Sequence, residues 1–251
     1  MYKPVAAHNA WFQYGSLIRS INLGLLVGSD VLTYLDIGLA AFNNIHIINP
    51  VDMLTSPPEV SFSPHLVKNY LLDLEDVLKQ VVLLRITNCH DGTYKHYVLR
   101  SNLNNSITAL INELLRLSNI VNARNVDINY LIKVLKSDWI SRNLDKCLEL
   151  ISENSDLILI ESFSDSVAPY LAVLDRIDMV VIVSPGNVMI YSDVIKFNNA
   201  VRRSIEAYGE LGLKSSYVIA YNELRPDKLI KISPRTSINA STIKSFIKEF
   251  I

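Results

Sequence analysis

The chain of 251 residues is 49% apolar and 20% charged, with a formal net charge of -1. That length suits one large domain or two small ones, and the apolar fraction, with only 8 Gly and 9 Pro, excludes a disordered chain. Near-neutrality without a run of Lys or Arg excludes bulk attraction of nucleic acid, so a charged partner has to be met at a local site.

The two cysteines, Cys89 and Cys147, make no disulfide framework, and a reducing cytoplasm is the plain expectation. Lys3, His8 and Asn9 precede any apolar run, so no signal peptide is expected. Asp30 and Asp36 interrupt the most apolar early stretch, and no uncharged run reaches the roughly 18 residues that a membrane span needs. A soluble chain this apolar implies a sheet covered on both faces.

In chain order, residues 1–6 look like the end of a strand, and a helix follows from about Trp11 to Leu26. Leu66, Leu71, Leu74, Val77 and Leu78 suggest a second helix. Residues 81–87 and 94–99 are β-rich and flank His90-Asp91-Gly92-Thr93, where Asp-Gly favours a tight hairpin turn. Three further helices follow, carried by Ile107 to Ile120, Ile128 to Leu135, and Leu144 to Ile151. Residues 156–161, 178–184 and 216–222 are short apolar runs that read as covered strands. Between the last two, Ile190, Val194, Phe197, Val201, Ile205 and Tyr208 recur at helical spacing, and Gly209 and Gly212 stop the helix. Strand, helix and strand at this spacing predict a right-handed parallel crossover. A closing helix spans about 242–251. The expected fold is a single α/β domain over 1–251, three-layered, with a mostly parallel central sheet and helices on both faces.

In open parallel sheets, ligands bind beyond the carboxyl ends of the strands. The residues there are Lys3, Glu161, Ser184 to Asn187, and Asn222. A cation, a carboxylate and an amide at one sheet edge would suit a nucleotide and a metal. They could equally be polar residues where the chain meets water.

The order of short segments resembles the dethiobiotin synthetase family. Tyr2-Lys3-Pro4-Val5-Ala6 is similar to its Lys-Pro-Val strand end, and Gly28-Ser29-Asp30 to its Ser-Asp pair. Asn49-Pro50 and Thr55-Ser56-Pro57-Pro58 are similar to its Asn-Pro segment and Ser-Pro loop. Leu159-Ile160-Glu161 and Val218-Ile219-Ala220-Tyr221-Asn222 are similar to two later strands.

The resemblance implies a phosphate-loop NTPase-like fold, ATP as substrate nucleotide and Mg2+ as cofactor. It also implies a small-molecule substrate, a homodimer, and ATP-dependent closure of a cyclic urea through a phosphorylated carbamate. Lys3 would be the catalytic cation facing phosphate or carbamate, and Asp30 with Glu161 would hold magnesium. Asn222 would read the adenine, and Thr55 and Ser56 would line the substrate end. The alternatives are a solvated Lys3, a helix cap for Asp30, a turn for Asn222 and a Ser-Pro turn for Thr55 and Ser56.

The chain departs from the family in lacking any G-x-x-x-x-G-K-[ST] loop. The family's first strand, loop and helix, on the order of 30 residues, are expected either upstream of Met1 or to be missing altogether. A missing unit would make the protein a degenerate, non-catalytic binding or scaffold paralogue. Ser162-Phe163-Ser164-Asp165 replaces a glycine-rich turn, and Ser184-Pro185-Gly186-Asn187 replaces a Lys-Leu-Gly segment, so a different substrate or an accessory ATPase role is also open.

Overall fold

The structure, a computed structural model, describes residues 1–60 and 76–233. The closing helix expected at 242–251 lies outside the described residues, as does most of the one expected at 66–78. The sequence was read as one domain over 1–251. Its contacts divide into two compact units: residues 1–164 with 168–173, and residues 165–167 with 174–251. Each is described by itself.

The first unit opens with β1 (Val5–Asn9), α1 (Tyr14–Leu23) and α2 (Ser29–Asp36). Gly24 closes α1 in the left-handed region, at φ 64°, as glycine does best. A short α3 (Ile45–Ile48) leads into β2 (Val51–Thr55), and α4 (Val77–Gln80) into β3 (Val81–Asn88). β3 turns back as β4 (Thr93–Val98). The turn is the Asp-Gly one expected, with Gly92 at φ 70° and the Asp91 carboxylate accepting from Thr93 N–H at 2.9 Å. Then come α5 (Arg100–Asn104), α6 (Thr108–Ile120), β5 (Arg124–Asn125), α7 (Ile128–Leu135) and α8 (Asp138–Ser152). The apolar spacing predicted α1, α6, α7 and α8.

The sheet runs β1-β2-β3-β4-β5. Its outer pairs, β1/β2 and β4/β5, are parallel, whereas β2/β3 and β3/β4 are antiparallel. The expectation of a mostly parallel sheet is therefore corrected to a mixed one. The tight hairpin forces β3 and β4 antiparallel and puts both in the middle of the sheet. Helices cover both faces. Leu17, Ile21, Leu110, Leu114 and Leu117 pack with Leu54, Leu83 and Val98 on one side. Leu131, Ile140 and Leu144 pack with Val51, Leu84 and Ile86 on the other. β3 is buried from Val81 to Thr87, which explains its unbroken apolar run.

Two edges depart from expectation. The strand begins at Val5, after a bend at Pro4, rather than ending near Ala6. Residues 156–161 make only a single parallel bridge, Tyr2 to Ile160. Leu157 and Leu159 stay exposed, so no continuous ladder forms there.

The second unit is a meander of β6 (Val180–Ser184), β7 (Asn187–Tyr191) and β8 (Lys228–Lys231), all antiparallel, with α9 (Val194–Tyr208) and α10 (Ser215–Tyr221). The predicted strand at 216–222 is α10, so the parallel crossover is corrected as well. A short apolar run cannot be told from a buried helix by its pattern alone. Here Val218 is buried while Tyr221 is exposed, as on one face of a helix. The end of β6 at Ser184 leads into a hairpin around Gly186, at φ 77°, rather than into a ligand-binding edge.

The expectation of two lone thiols is overturned. Cys89, just after β3, and Cys147 on α8 form a disulfide across 58 residues, with Cα atoms 5.2 Å apart. Asn143 aligns the two elements: its amide donates to Thr87 C=O at 2.7 Å, and its oxygen accepts from Cys89 N–H at 2.8 Å. Closing a loop of this length in the unfolded chain is worth about 4 kcal/mol. Reduction, or Cys147→Ala, should lower unfolding stability by roughly that amount, read as a drop in the urea midpoint with a steeper slope, because the freed unfolded chain exposes more surface.

Candidate functional site

Two cross-chain contacts assemble the site in the first unit. Tyr2 N–H donates to Leu159 C=O at 2.9 Å, and Glu161 N–H donates to Tyr2 C=O at 2.8 Å. Those parallel bonds set Lys3 and Glu161 side by side. The fully buried Tyr2 ring anchors the segment, its hydroxyl donating to Leu144 C=O at 2.7 Å. Asp30 comes from the first turn of α2. The cap of that helix is Gly28 rather than Asp30, so the Asp30 carboxylate is free to pair elsewhere.

Lys3 Nζ donates to Glu161 Oε1 at 2.6 Å and to Asp30 Oδ2, and the Tyr34 hydroxyl donates to Glu161 Oε2. Lys3 is 4% exposed, whereas the side chains of Asp30 and Glu161 are 54% and 41% exposed. The cluster is thus a buried ammonium roofed by two half-open carboxylates. Burial pulls the Lys3 pKa down, but the hydrogen bonds and charges of Asp30 and Glu161 outweigh it and hold the ammonium above its usual range. Burial, then Glu161 and Asp30, push the Tyr34 hydroxyl far up, so it stays a donor.

The remaining candidates make other contacts. Thr55 and Ser56 lie past the other end of β2, where Thr55 pairs with Asn9, whereas Val51 pairs with Val5 next to Lys3. Thr55 Oγ1 donates across to His8 C=O on β1 at 3.2 Å, and Ser56 Oγ contacts Pro57 C=O in the local turn. Asn222 belongs to the second unit. Its amide donates to Ala200 C=O, Ser204 Oγ and Val218 C=O, and its oxygen accepts from Arg203. It ends a helix, not a strand, and ties α10 to α9.

Sequence reasoning missed a buried polar row beside the cluster. Asp52 on β2, Arg85 on β3 and His96 on β4 are neighbours in register. Arg85 is wholly buried. Its Nε donates to Leu26 C=O at 2.9 Å, Nη1 to Asn49 C=O at 2.7 Å, and Nη2 to Asn49 Oδ1 at 2.9 Å. Its Nη2 lies 3.7 Å from Asp52 Oδ2, which accepts from Gly28 N–H at 2.9 Å. His8 Nδ1 lies 3.1 Å from Asp52 Oδ1 and so carries a proton, because a carboxylate can only accept. Gly28 sits so close to this ring that a Cβ would come within 3.0 Å of His8 Nδ1. A single charge inside each of two apolar strands was the available signal, since such a charge is costly unless paired.

His96 Nε2 accepts from Leu26 N–H at 3.2 Å, which requires a neutral ring. Burial, then the Arg85 cation, push its pKa down from 6.5 to about 3. The donor set at Lys3 suits magnesium in one respect: two carboxylates offer hard oxygens at an open surface. Among the described residues no group of three or more His, Cys, Asp or Glu side chains converges, so phosphate and water oxygens would have to complete the shell. Among the same residues no helix is long and apolar enough to cross a membrane.

Below its unfolded pKa of 6.5, the unfolded state binds a proton at His96 that the folded state refuses until about pH 3. Stability should therefore fall as pH drops through that window, by up to about 1.4 kcal/mol per pH unit from this group. Urea titrations at stepped pH check it, and His96→Gln should flatten the slope. The chain matches no family model, no curated protein and no solved structure, so the functional reading rests on this geometry.

Proposed function

We propose that the first unit binds a magnesium-complexed, phosphate-bearing nucleotide at Lys3, Asp30 and Glu161, as an ATP-dependent ligase-like protein resembling dethiobiotin synthetase with a different substrate. The observation that supports this reading is the convergence of one buried ammonium and two half-exposed carboxylates from three distant segments. Asp30 and Glu161 would hold the metal, which would neutralise phosphate charge. Lys3 would face the phosphate oxygens as a compact point charge. Tyr34 would orient the Glu161 carboxylate through its hydroxyl.

The substrate is where the reading departs from the family. Thr55, Ser56 and Asn222 are engaged elsewhere, so the substrate and base pockets of that family do not carry over to this chain. A second reading, a non-catalytic binding or scaffold protein, is favoured by one observation: Lys3 is already neutralised by both carboxylates, as in a structural clasp.

Calorimetric titration of the chain with Mg-ATP, and with ATP after chelation, separates the two. The nucleotide reading expects magnesium-dependent binding that weakens roughly tenfold or more in Glu161→Gln, the loss of one charged contact. Glu161 is half-exposed, so that variant should keep its fold. Absence of Mg-ATP binding, or unchanged binding by Glu161→Gln, removes the nucleotide reading and leaves the clasp.

A further inference from the structure

The second unit holds a separate polar cleft. It is a small recess of about 50 Å³, partly open to solvent, lined by Tyr191, Asp193, Lys196, Phe197, Arg225 and Asp227. Tyr191 ends β7 and is 4% exposed, with its ring centroid 5.2 Å from that of Phe197. Its hydroxyl is buried and has no hydrogen-bond partner among the described residues. A buried hydroxyl without a partner costs stability, and such groups mark places where something else supplies the bond.

The charges around this hydroxyl are arranged by the backbone. Asp193 caps α9, accepting from Lys196 N–H at 2.9 Å. Asp227 Oδ2 accepts from both Ser192 N–H and Ser192 Oγ at 2.7 Å. Both carboxylates are thereby held at the rim as fixed anions. Among the described residues neither Lys196 nor Arg225 closes a salt bridge, and the Lys196 charge reaches the Asp227 carboxylate only through space. Two fixed acids and two bases outside any salt bridge give the walls a formal charge of zero. A plain anion would meet the two carboxylates, and a plain cation would meet Lys196 and Arg225. A ligand carrying both charges on neighbouring atoms satisfies the walls without leaving either sign opposed.

We infer that this cleft is a binding site for a small zwitterion of the α-amino acid class. The ligand carboxylate takes the Tyr191 O–H and the cations of Arg225 and Lys196, and its ammonium faces Asp193 and Asp227. This site shares no residue with the Lys3 cluster, so either can fail without the other.

The test is titration of the full chain with each proteinogenic L-α-amino acid, followed by amide NMR shifts. The propionate and ethylamine analogues of L-alanine serve as single-charge controls. At least one amino acid should bind at millimolar concentration or below, and should shift residues around Tyr191. Both single-charge controls should bind roughly tenfold more weakly or worse. Tyr191→Phe removes only the partnerless hydroxyl. It should raise the melting temperature of the free protein while weakening the ligand roughly tenfold or more. Arg225→Gln, at an exposed position, provides a second variant and should weaken binding likewise. Binding by none of the amino acids, propionate binding as tightly as L-alanine, or unchanged affinity in both variants would overturn the inference.

Discussion

Arg85 is a full positive charge placed at the centre of a sheet, where no water reaches it, and most of the first unit is arranged to make that tolerable. Taking one partner from a buried ion pair costs about 3–5 kcal/mol, because the charge left behind has lost its water and gained nothing. The guanidinium is matched almost donor for donor: the Leu26 carbonyl, the Asn49 carbonyl and side chain, Thr87 Oγ1 at 3.3 Å, and the Asp52 carboxylate. The partners come from the turn after α1 (Leu26), the entry and start of β2 (Asn49 and Asp52) and β3 itself (Thr87). Satisfying one side chain therefore fixes the turn after α1, the entry to β2 and the centre of the sheet in a single arrangement.

The Lys3 cluster inherits its geometry from that network. Asp52 holds Gly28 N–H, and Gly28 is the cap from which α2 starts, two residues before Asp30. Asn49 donates to the Lys3 carbonyl at 2.8 Å while it accepts from Arg85. The buried arginine thus positions both the segment that carries Lys3 and the helix that carries Asp30, without touching either functional group. Glu161 alone arrives by another route, through the bridge to Tyr2, and that bridge is a single residue long. The Glu161 side chain is held instead by Lys3 and by the Tyr34 hydroxyl.

How legible was this in the sequence? The helices α1, α6, α7 and α8 were readable because each shows an apolar face at three- and four-residue spacing long enough to exclude a strand. The hairpin was readable because Asp-Gly has few other uses. Lys3 and Glu161 were singled out because each ends an apparent strand, whereas Asp30 was singled out only through the resemblance of Gly28-Ser29-Asp30 to a Ser-Asp pair. Residues 216–222 were not legible: seven residues with an apolar middle fit either element, and packing against α9 decided it. The pairing of Cys89 with Cys147 was equally hidden, since it depends on where α8 crosses the end of β3.

By itself, then, the sequence determined the longer helices of the first unit, the Asp-Gly turn, and that a covered sheet exists. These are local properties, set by side-chain periodicity and by the few residues that tolerate unusual backbone. Tertiary structure alone decided that the sheet is mixed, that the chain packs as two units, and that Lys3 meets both carboxylates while Thr55 and Ser56 do not. Those outcomes depend on contacts between residues tens of positions apart. No local pattern encodes them, because the free energy that selects them comes from burying many side chains and satisfying a few buried charges at once.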